Sequence, residues 1–367
     1  MSLTRFLAAW RTTPLHDREV VDALVDPAHA GPSADLAAAL RQWAGTYYWS
    51  DEADGRHVIL TRPTQKARES WAIHALLFAA VLLTTTLTGA VVSNALPAHP
   101  GTWTAPAMLR AFPSGLWFSL PLLAILLCHE LGHYFTARRY QLNVSPPFFI
   151  PGLLPPFGIG TFGAFIRLRT IVNDRRQLLD VGAAGPIAGF VIALPLLWIG
   201  LSHSTVVSDA PLQGMIVQWG GSGGGDVQAV LPLGDSAVTW LVRHFAAGDA
   251  NTIVLHPAAF AGWFGMFVTM LNLLPMAQLD GGHIMYAATP RWHQQTARLF
   301  WVVLMLLGWF WIGWLLWGFI VLVLSRGQLR HPPVLDAYRP LPPSRRWVLW
   351  ASLVLFLLTF APAPFRS

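Results

Sequence analysis

An all-α polytopic membrane protein of about seven transmembrane helices, with a re-entrant β-like loop and a small soluble N-terminal region, is the fold class the sequence predicts. Three observations predict it. Of the 367 residues 54% are hydrophobic and only 11% charged, outside the usual balance of globular domains. Several apolar stretches reach the roughly 20 residues that a helix needs to cross a hydrocarbon core about 30 Å thick. Arginines flank those stretches, which is how basic residues orient membrane spans, so the net charge of +6 speaks for topology and against nucleic acid as a partner.

Residues 1–69 mix polar and apolar side chains and hold one alternating stretch, RHVILTR at 56–62, that reads as a strand, so this segment is expected to be a soluble cytoplasmic domain. The first twenty residues lack the apolar run of a signal peptide, and the N-terminus is expected to be retained. Spans are expected at about 72–94, 116–137, 183–201 and 257–275. The run 297–325 reads as a tight hairpin turning near Gly308–Gly313, because a single crossing would carry Arg326, Arg330, Arg339, Arg345 and Arg346 to the outside. A last span near 347–361 follows a proline-rich linker. Residues 70–330 then form a membrane core, and 331–367 a cytoplasmic linker with a C-terminal transmembrane helix. The positive-inside rule puts the N-terminus and the 138–180 region in the cytoplasm. It puts the 202–256 loop outside, with a glycine-rich run at 220–226 and an amphipathic helix near 234–245.

One stretch inside this oily frame carries chemistry: LLCHELGHYF at 126–135. Ionisable side chains at membrane depth are costly and therefore functional suspects. His129 and His133, four residues apart on a helix, lie about 40° apart in azimuth and about 6 Å apart in height, so both rings can reach one metal. With Glu130 between them they form the His-Glu-x-x-His pattern of zinc peptidases, whose glutamate is the general base. Glu130 is also the only glutamate beyond residue 69. A pair of histidines hydrogen-bonded across helices is the plainer alternative, but it leaves the glutamate unexplained. Cys128, the sole cysteine, excludes an internal disulfide and a Cys₄ zinc site, and reads as a small buried apolar residue.

A catalytic zinc takes three protein ligands, so a third must come from elsewhere. NLLPMAQLDGGH at 272–283 follows the fourth expected span, and Pro275 with Gly281–Gly282 predicts an interrupted helix. Asp280 is the only acidic residue between Asp249 and Asp336, and the expected topology brings it to the same cytoplasmic depth as His129. His283 is the competing ligand. Between the second and third spans, residues 146–169 are apolar yet dense in proline and glycine, which predicts a re-entrant loop. Its Gly160–Arg169 stretch could offer an extended edge to an unwound substrate strand, with a purely structural linker as the alternative.

Together these residues resemble the site-2 proteases, intramembrane zinc metalloproteases. HELGH at 129–133 matches that family's His-Glu-x-x-His, and NLLPMAQLDGG at 272–282 matches its Asn-x-x-Pro-x-x-x-x-Asp-Gly motif. The segments GTFGAFIRLR, DVGAAGPIAGF, HPAAFAGWFGM and SRGQLRHPP look like the bacterial and chloroplast branch that lacks a PDZ module. The resemblance covers about residues 70–361. It implies that His129, His133 and Asp280 ligate one Zn²⁺ per chain, that Glu130 is the base, and that Asn272 holds substrate near the metal. It points the same way for the strand Gly160, Thr161, Phe162, Gly163 and Ala164 as a substrate edge.

Bland readings suffice elsewhere. GAAGPIAGF at 182–190 reads as close helix packing, the run Trp301–Trp317 as bilayer-facing aromatic surface, and His203, His244 and His256 as solvated. Asp174 and Asp180 read as ion-pair partners of nearby arginines or as positioners of the re-entrant loop. The expected function is zinc-dependent cleavage of transmembrane segments of single-pass membrane proteins, in a lipid bilayer. The expected setting is a bacterial inner membrane, with the active site toward the cytoplasm. The rivals are a metallopeptidase of another clan, disfavoured because no downstream glutamate exists to serve as third ligand, and a non-proteolytic metal transporter or chaperone-like protein.

Overall fold

The computed structural model describes residues 3–15, 18–43, 45–63, 69–169, 172, 174–207, 214–219, 229–248, 252–332, 334 and 340–366. The glycine-rich run 220–226, Asp249, Asp336 and Arg339 lie outside the described residues. The chain divides into two compact units, one made of residues 1–69 with 138–145 and 168–172, the other of 70–137, 146–167 and 173–367.

In the first unit, β1 (Leu7–Pro14), β2 (Arg18–Val25), β3 (Thr46–Glu52) and β4 (Gly55–Pro63) form an antiparallel sheet in the order β1-β2-β4-β3. Helix α1 (Ala34–Arg41) is started by Ser33, whose hydroxyl accepts from the Leu36 amide at 3.3 Å. Its Leu36, Ala39 and Leu40 share a core with Val21, Ala23 and Val25 of β2 and Val58 and Leu60 of β4, the alternate residues of two central strands. On the same two strands His57 bridges Asp22 at 2.7 Å, and its other nitrogen lies 3.1 Å from Asp54. These carboxylates, Asp22 above all, hold the His57 imidazole above its ordinary pKa, against the opposing pull of burial.

The second unit begins with helices α2 (Trp71–Val92) and α3 (Ala105–Arg139). They touch where Gly89 and Gly115 bring backbones together: a Cβ on Gly115 would stand 1.9 Å from the Thr86 carbonyl oxygen. A short hairpin follows, β5 (Phe148–Pro151) with β6 (Thr161–Phe165), and the other edge of β6 pairs with no strand among the described residues. Helix α4 (Arg175–Ser202) starts at Asp174, whose carboxylate accepts from the Gln177 amide at 2.8 Å. A mixed sheet in the order β7-β10-β8-β9 comprises β7 (Thr205–Val207), β8 (Gly214–Trp219), β9 (Ala229–Pro232) and β10 (Thr252–Val254). Helix α5 (Ala237–Ala247) carries a Ser236–Thr239 capping box. Then come α6 (Pro257–Asn272), α7 (Asp280–Ala288), α8 (His293–Leu307), α9 (Gly313–Leu324) and α10 (Arg346–Thr359).

The expected fold class requires correction. The protein is mixed α/β, with three sheets among the described residues, and three of the described helices are long and apolar enough to cross a membrane, α2, α3 and α4, instead of seven. Helices do stand at the other expected places, but α6, α8, α9 and α10 have 16, 15, 12 and 14 residues. At 1.5 Å per residue none exceeds about 24 Å, short of a hydrocarbon core of about 30 Å. The motif loop at 273–279 cuts α6 short, and the turn between Leu307 and Gly313 divides the aromatic run in two. Conversely, α3 runs 35 residues through Pro113 and Pro121, longer than the expected 116–137. Strands β4 and β6 stand where the sequence marks extended stretches; β1 and β3 escape because they are edges carrying exposed Trp10, Tyr47, Tyr48 and Trp49, which blur the period-2 pattern, and β7 to β10 because they are short.

Candidate metal centre

The HELGH residues sit in the last three turns of α3, where one helical turn places both rings on one side. His129 Nε2 and His133 Nε2 stand 3.1 Å apart, and Asp280 Oδ2 lies 3.2 Å from the first and 3.3 Å from the second. Both histidines are buried, as is Glu130. Asp280 arrives from far along the chain because the helix breaks: α6 ends at Asn272, the chain turns through Ala277 in the left-handed region (φ 50°), and α7 begins at Asp280. Gly281 permits this re-entry, since a Cβ there would stand 2.0 Å from the Leu273 carbonyl oxygen.

Three donor atoms in this triangle fit a metal. Ligands at about 2.0 Å from a tetrahedral ion stand about 3.3 Å from one another, which is the spacing observed. His133 Nδ1 lies 2.7 Å from the Val181 carbonyl oxygen, to which its N–H can donate. That bond orients the ring and leaves Nε2 as a lone pair facing His129 and Asp280, the outer arrangement that metal-bound histidines use. Lone pairs gathered this closely in a buried place call for a cation between them.

Helix α4 supplies the seat. A Cβ on Gly185 would lie 2.1 Å from His133 Nε2, and one on Gly189 would lie 3.2 Å from His129 Nδ1. These glycines, read from sequence as packing residues, make room for the imidazoles, and the signal was their spacing of four on a helix facing HELGH. The same helix holds α7: the Arg175 guanidinium donates to the carbonyls of Ala287 and Ala288 at 2.8 and 2.9 Å, capping the helix that carries Asp280. Asp174 caps α4, as described above, and Asp180 pairs with Arg345 at 2.8 Å.

A cavity of about 260 Å³ opens beside the triangle, walled by His129, Glu130, Asn272, Thr161–Ala164, Phe264, Phe267 and Trp317 among others. Asn272 Nδ2 is 3.4 Å from His129 Nε2. Of the five residues expected at the substrate edge, Thr161, Phe162, Gly163 and Ala164 reach this cavity, whereas Gly160 stands behind them with its carbonyl accepting from Thr84 Oγ1 at 2.6 Å. His283, the competing ligand, is engaged elsewhere, 2.7 Å from His331 Nε2. Trp317, read as bilayer-facing, is a wall of the cavity.

Residues 117–310 match the family model described as Peptidase family M50, more than half of the chain. The chain belongs to this family. It is 32% identical over 246 residues to the probable chloroplastic zinc metalloprotease EGY1 of Arabidopsis thaliana, a match covering 65% of this chain and 41% of that one. Against EGY1 of Oryza sativa subsp. japonica identity is 32% over 264 residues, covering 70% and 42%. Against EGY2 of Arabidopsis thaliana it is 33% over 271 residues, covering 70% and 43%. The chain thus spans about two fifths of the length of the curated relatives it matches. No solved structure matches it. HELGH and the Asn272–Asp280 segment both fall within the residues that match the family model.

Proposed function

We propose that this protein is a zinc-dependent intramembrane endopeptidase that hydrolyses peptide bonds in transmembrane segments of single-pass membrane proteins. The observation that carries the reading is the triangle of His129 Nε2, His133 Nε2 and Asp280 Oδ2 at 3.1–3.3 Å, with Glu130 on the wall of the adjoining cavity. His129, His133 and Asp280 would hold the zinc. A zinc ion bound there supplies Lewis acidity that makes water a usable nucleophile near neutral pH.

The rest is work for the chain's own side chains. The Glu130 carboxylate takes a proton from the attacking water on an Oε atom and returns it to the leaving amine nitrogen. Val181 fixes the His133 ring through Nδ1, and Gly185 and Gly189 keep the space beside both rings clear. A peptide bond inside a helix is shielded by its own hydrogen bonds, so substrate must unwind before attack. The edge of β6 away from β5 offers main-chain hydrogen bonds to the unwound segment, and the Asn272 amide orients it close to the histidines. The membrane helices and the arginine distribution support a membrane enzyme working from the cytoplasmic side.

Replacing Glu130 by Gln tests this. With the variant, membranes should retain zinc in the protein but lose the single-pass fragments that wild-type protein generates. Unchanged fragments would refute the peptidase reading and favour the transporter or chaperone-like rival.

A further inference from the structure

We infer that Trp317 is a substrate-binding residue of the same cavity, donating its indole N–H to a main-chain carbonyl of the unwound peptide. The inference rests on the peptidase reading and extends it to the α9 side of the site.

Buried indole N–H groups in this protein have a consistent habit. Trp43, Trp103, Trp263, Trp301 and Trp314 each donate to a main-chain carbonyl at 2.7–3.0 Å. Two of these stand beside Trp317: Trp314, one turn earlier on α9, reaches Pro362, and Trp301 on α8 reaches the carbonyl of Gly318. Trp317 breaks the habit. Its Nε1 is shielded from water and has no acceptor among the described residues. A buried donor left without a partner is unfavourable and rare, and calls for an occupant that completes it.

An acceptor meets this shielded atom when the ring turns toward the adjoining cavity as peptide binds. The Trp317 ring walls the cavity that also holds Glu130, His129, Asn272 and the β6 edge. Beside it the cavity is apolar, with Phe264, Phe267, Val268 and Leu271, which suits the side chains of a membrane segment. What an apolar peptide brings in the polar sense is its backbone, and its carbonyl oxygen is the acceptor type that those five indoles use. Such a contact ignores side-chain sequence and demands an extended backbone, since a helical peptide has already committed its carbonyls. Trp317 and β6 would therefore select for unwinding together.

Two probes separate this role from support of the metal centre. Acetohydroxamate chelates zinc without a peptide chain, and a hydroxamate bearing an apolar tripeptide amide chelates it with one. Both are titrated into zinc-loaded full-length protein in micelles, as wild type, as Trp317→Phe, and with benzothienylalanine at 317, which keeps the ring's shape and replaces N–H by sulfur. Both replacements should weaken the peptidyl hydroxamate about five- to tenfold, the worth of one such hydrogen bond, and leave acetohydroxamate affinity unchanged. Equal loss for both probes, or no loss for either, overturns the inference, as does a wild type for which the tripeptide adds nothing. A wild type that binds neither probe overturns the zinc-peptidase reading itself, a distinct result because acetohydroxamate binds through the metal and carries no peptide backbone.

Discussion

Two clusters in this protein gather the same residue types. In the first unit, Asp22, Glu52 and His57 bring ligand-type atoms within 4.8 Å of one another, and in the second His129, His133 and Asp280 do the same. Their surroundings part them. His57 has carboxylates on both nitrogens, Asp22 at 2.7 Å and Asp54 at 3.1 Å, and the side chains of those acids are substantially exposed. A second proton on the ring satisfies that arrangement completely, and water screens what remains. The triangle on α3 and α7 is buried, one ring nitrogen is committed to Val181, and two imidazoles compete for a single carboxylate oxygen. A proton can serve one pair there but not three lone pairs at once. The contrast teaches that a metal site is marked less by which residues meet than by what already satisfies them.

The largest effect that sharpens this contrast comes from removing a vertex of the triangle. His133→Ala or Asp280→Ala should weaken zinc at least about 10²-fold, more than loss of an outer partner costs, read as metal content after dialysis against a chelator. The corresponding change in the other cluster, Asp22→Ala, should leave metal content untouched. Next, Glu130→Gln should retain zinc while cleavage of a single-pass substrate falls by about 10²–10⁴, the usual worth of a positioned general base. Third, Gly185→Ala places a Cβ 2.1 Å from His133 Nε2. It should cost about 1–3 kcal/mol of overpacking and lower zinc affinity, measured by thermal melting with and without chelator. Fourth, Arg175→Ala uncaps α7 and should weaken zinc by about 10-fold, the lower range for residues that support a ligand.

The smallest effect concerns pH. The His57 pKa is raised in the folded unit, so its stabilisation is fully present below the unfolded value near 6.5 and is lost as pH rises through the higher folded value. Hydrogen exchange of the β2 and β4 amides should therefore quicken, beyond its intrinsic base dependence, as pH climbs above that range, and His57→Gln should abolish this increment. Added zinc should not slow the exchange. Protection by zinc would make His57 a metal ligand and erase the distinction between the clusters.

The centre was far more legible in the sequence than the fold. His129, Glu130 and His133 lie within one helical turn and a half, so their convergence is a matter of local geometry that spacing alone conveys. Asp280 is 147 positions beyond His133, yet Pro275, Gly281 and Gly282 mark the chain break that delivers it. By contrast, the β7–β10 sheet depends on pairing between short segments whose partners no local pattern names. The length of α6 is set by where the motif loop begins and not by how far apolar residues continue. Gly185 is the packing residue its sequence suggests, but neither it nor Trp317 names its neighbour in advance: a glycine on an apolar helix and a tryptophan in an aromatic run look alike whether they face lipid, a neighbouring helix or a reactive cavity. Only the packing of α4 and α9 distinguishes them.

X-ray absorption at the zinc edge of the purified full-length protein tests the central claim most directly. One zinc per chain, with two imidazole nitrogens and carboxylate oxygen at about 2.0–2.2 Å and a first shell that changes in Asp280→Ala, is the result predicted. Absence of bound zinc, sulfur at about 2.3 Å, or a shell unaltered by Asp280→Ala would contradict it.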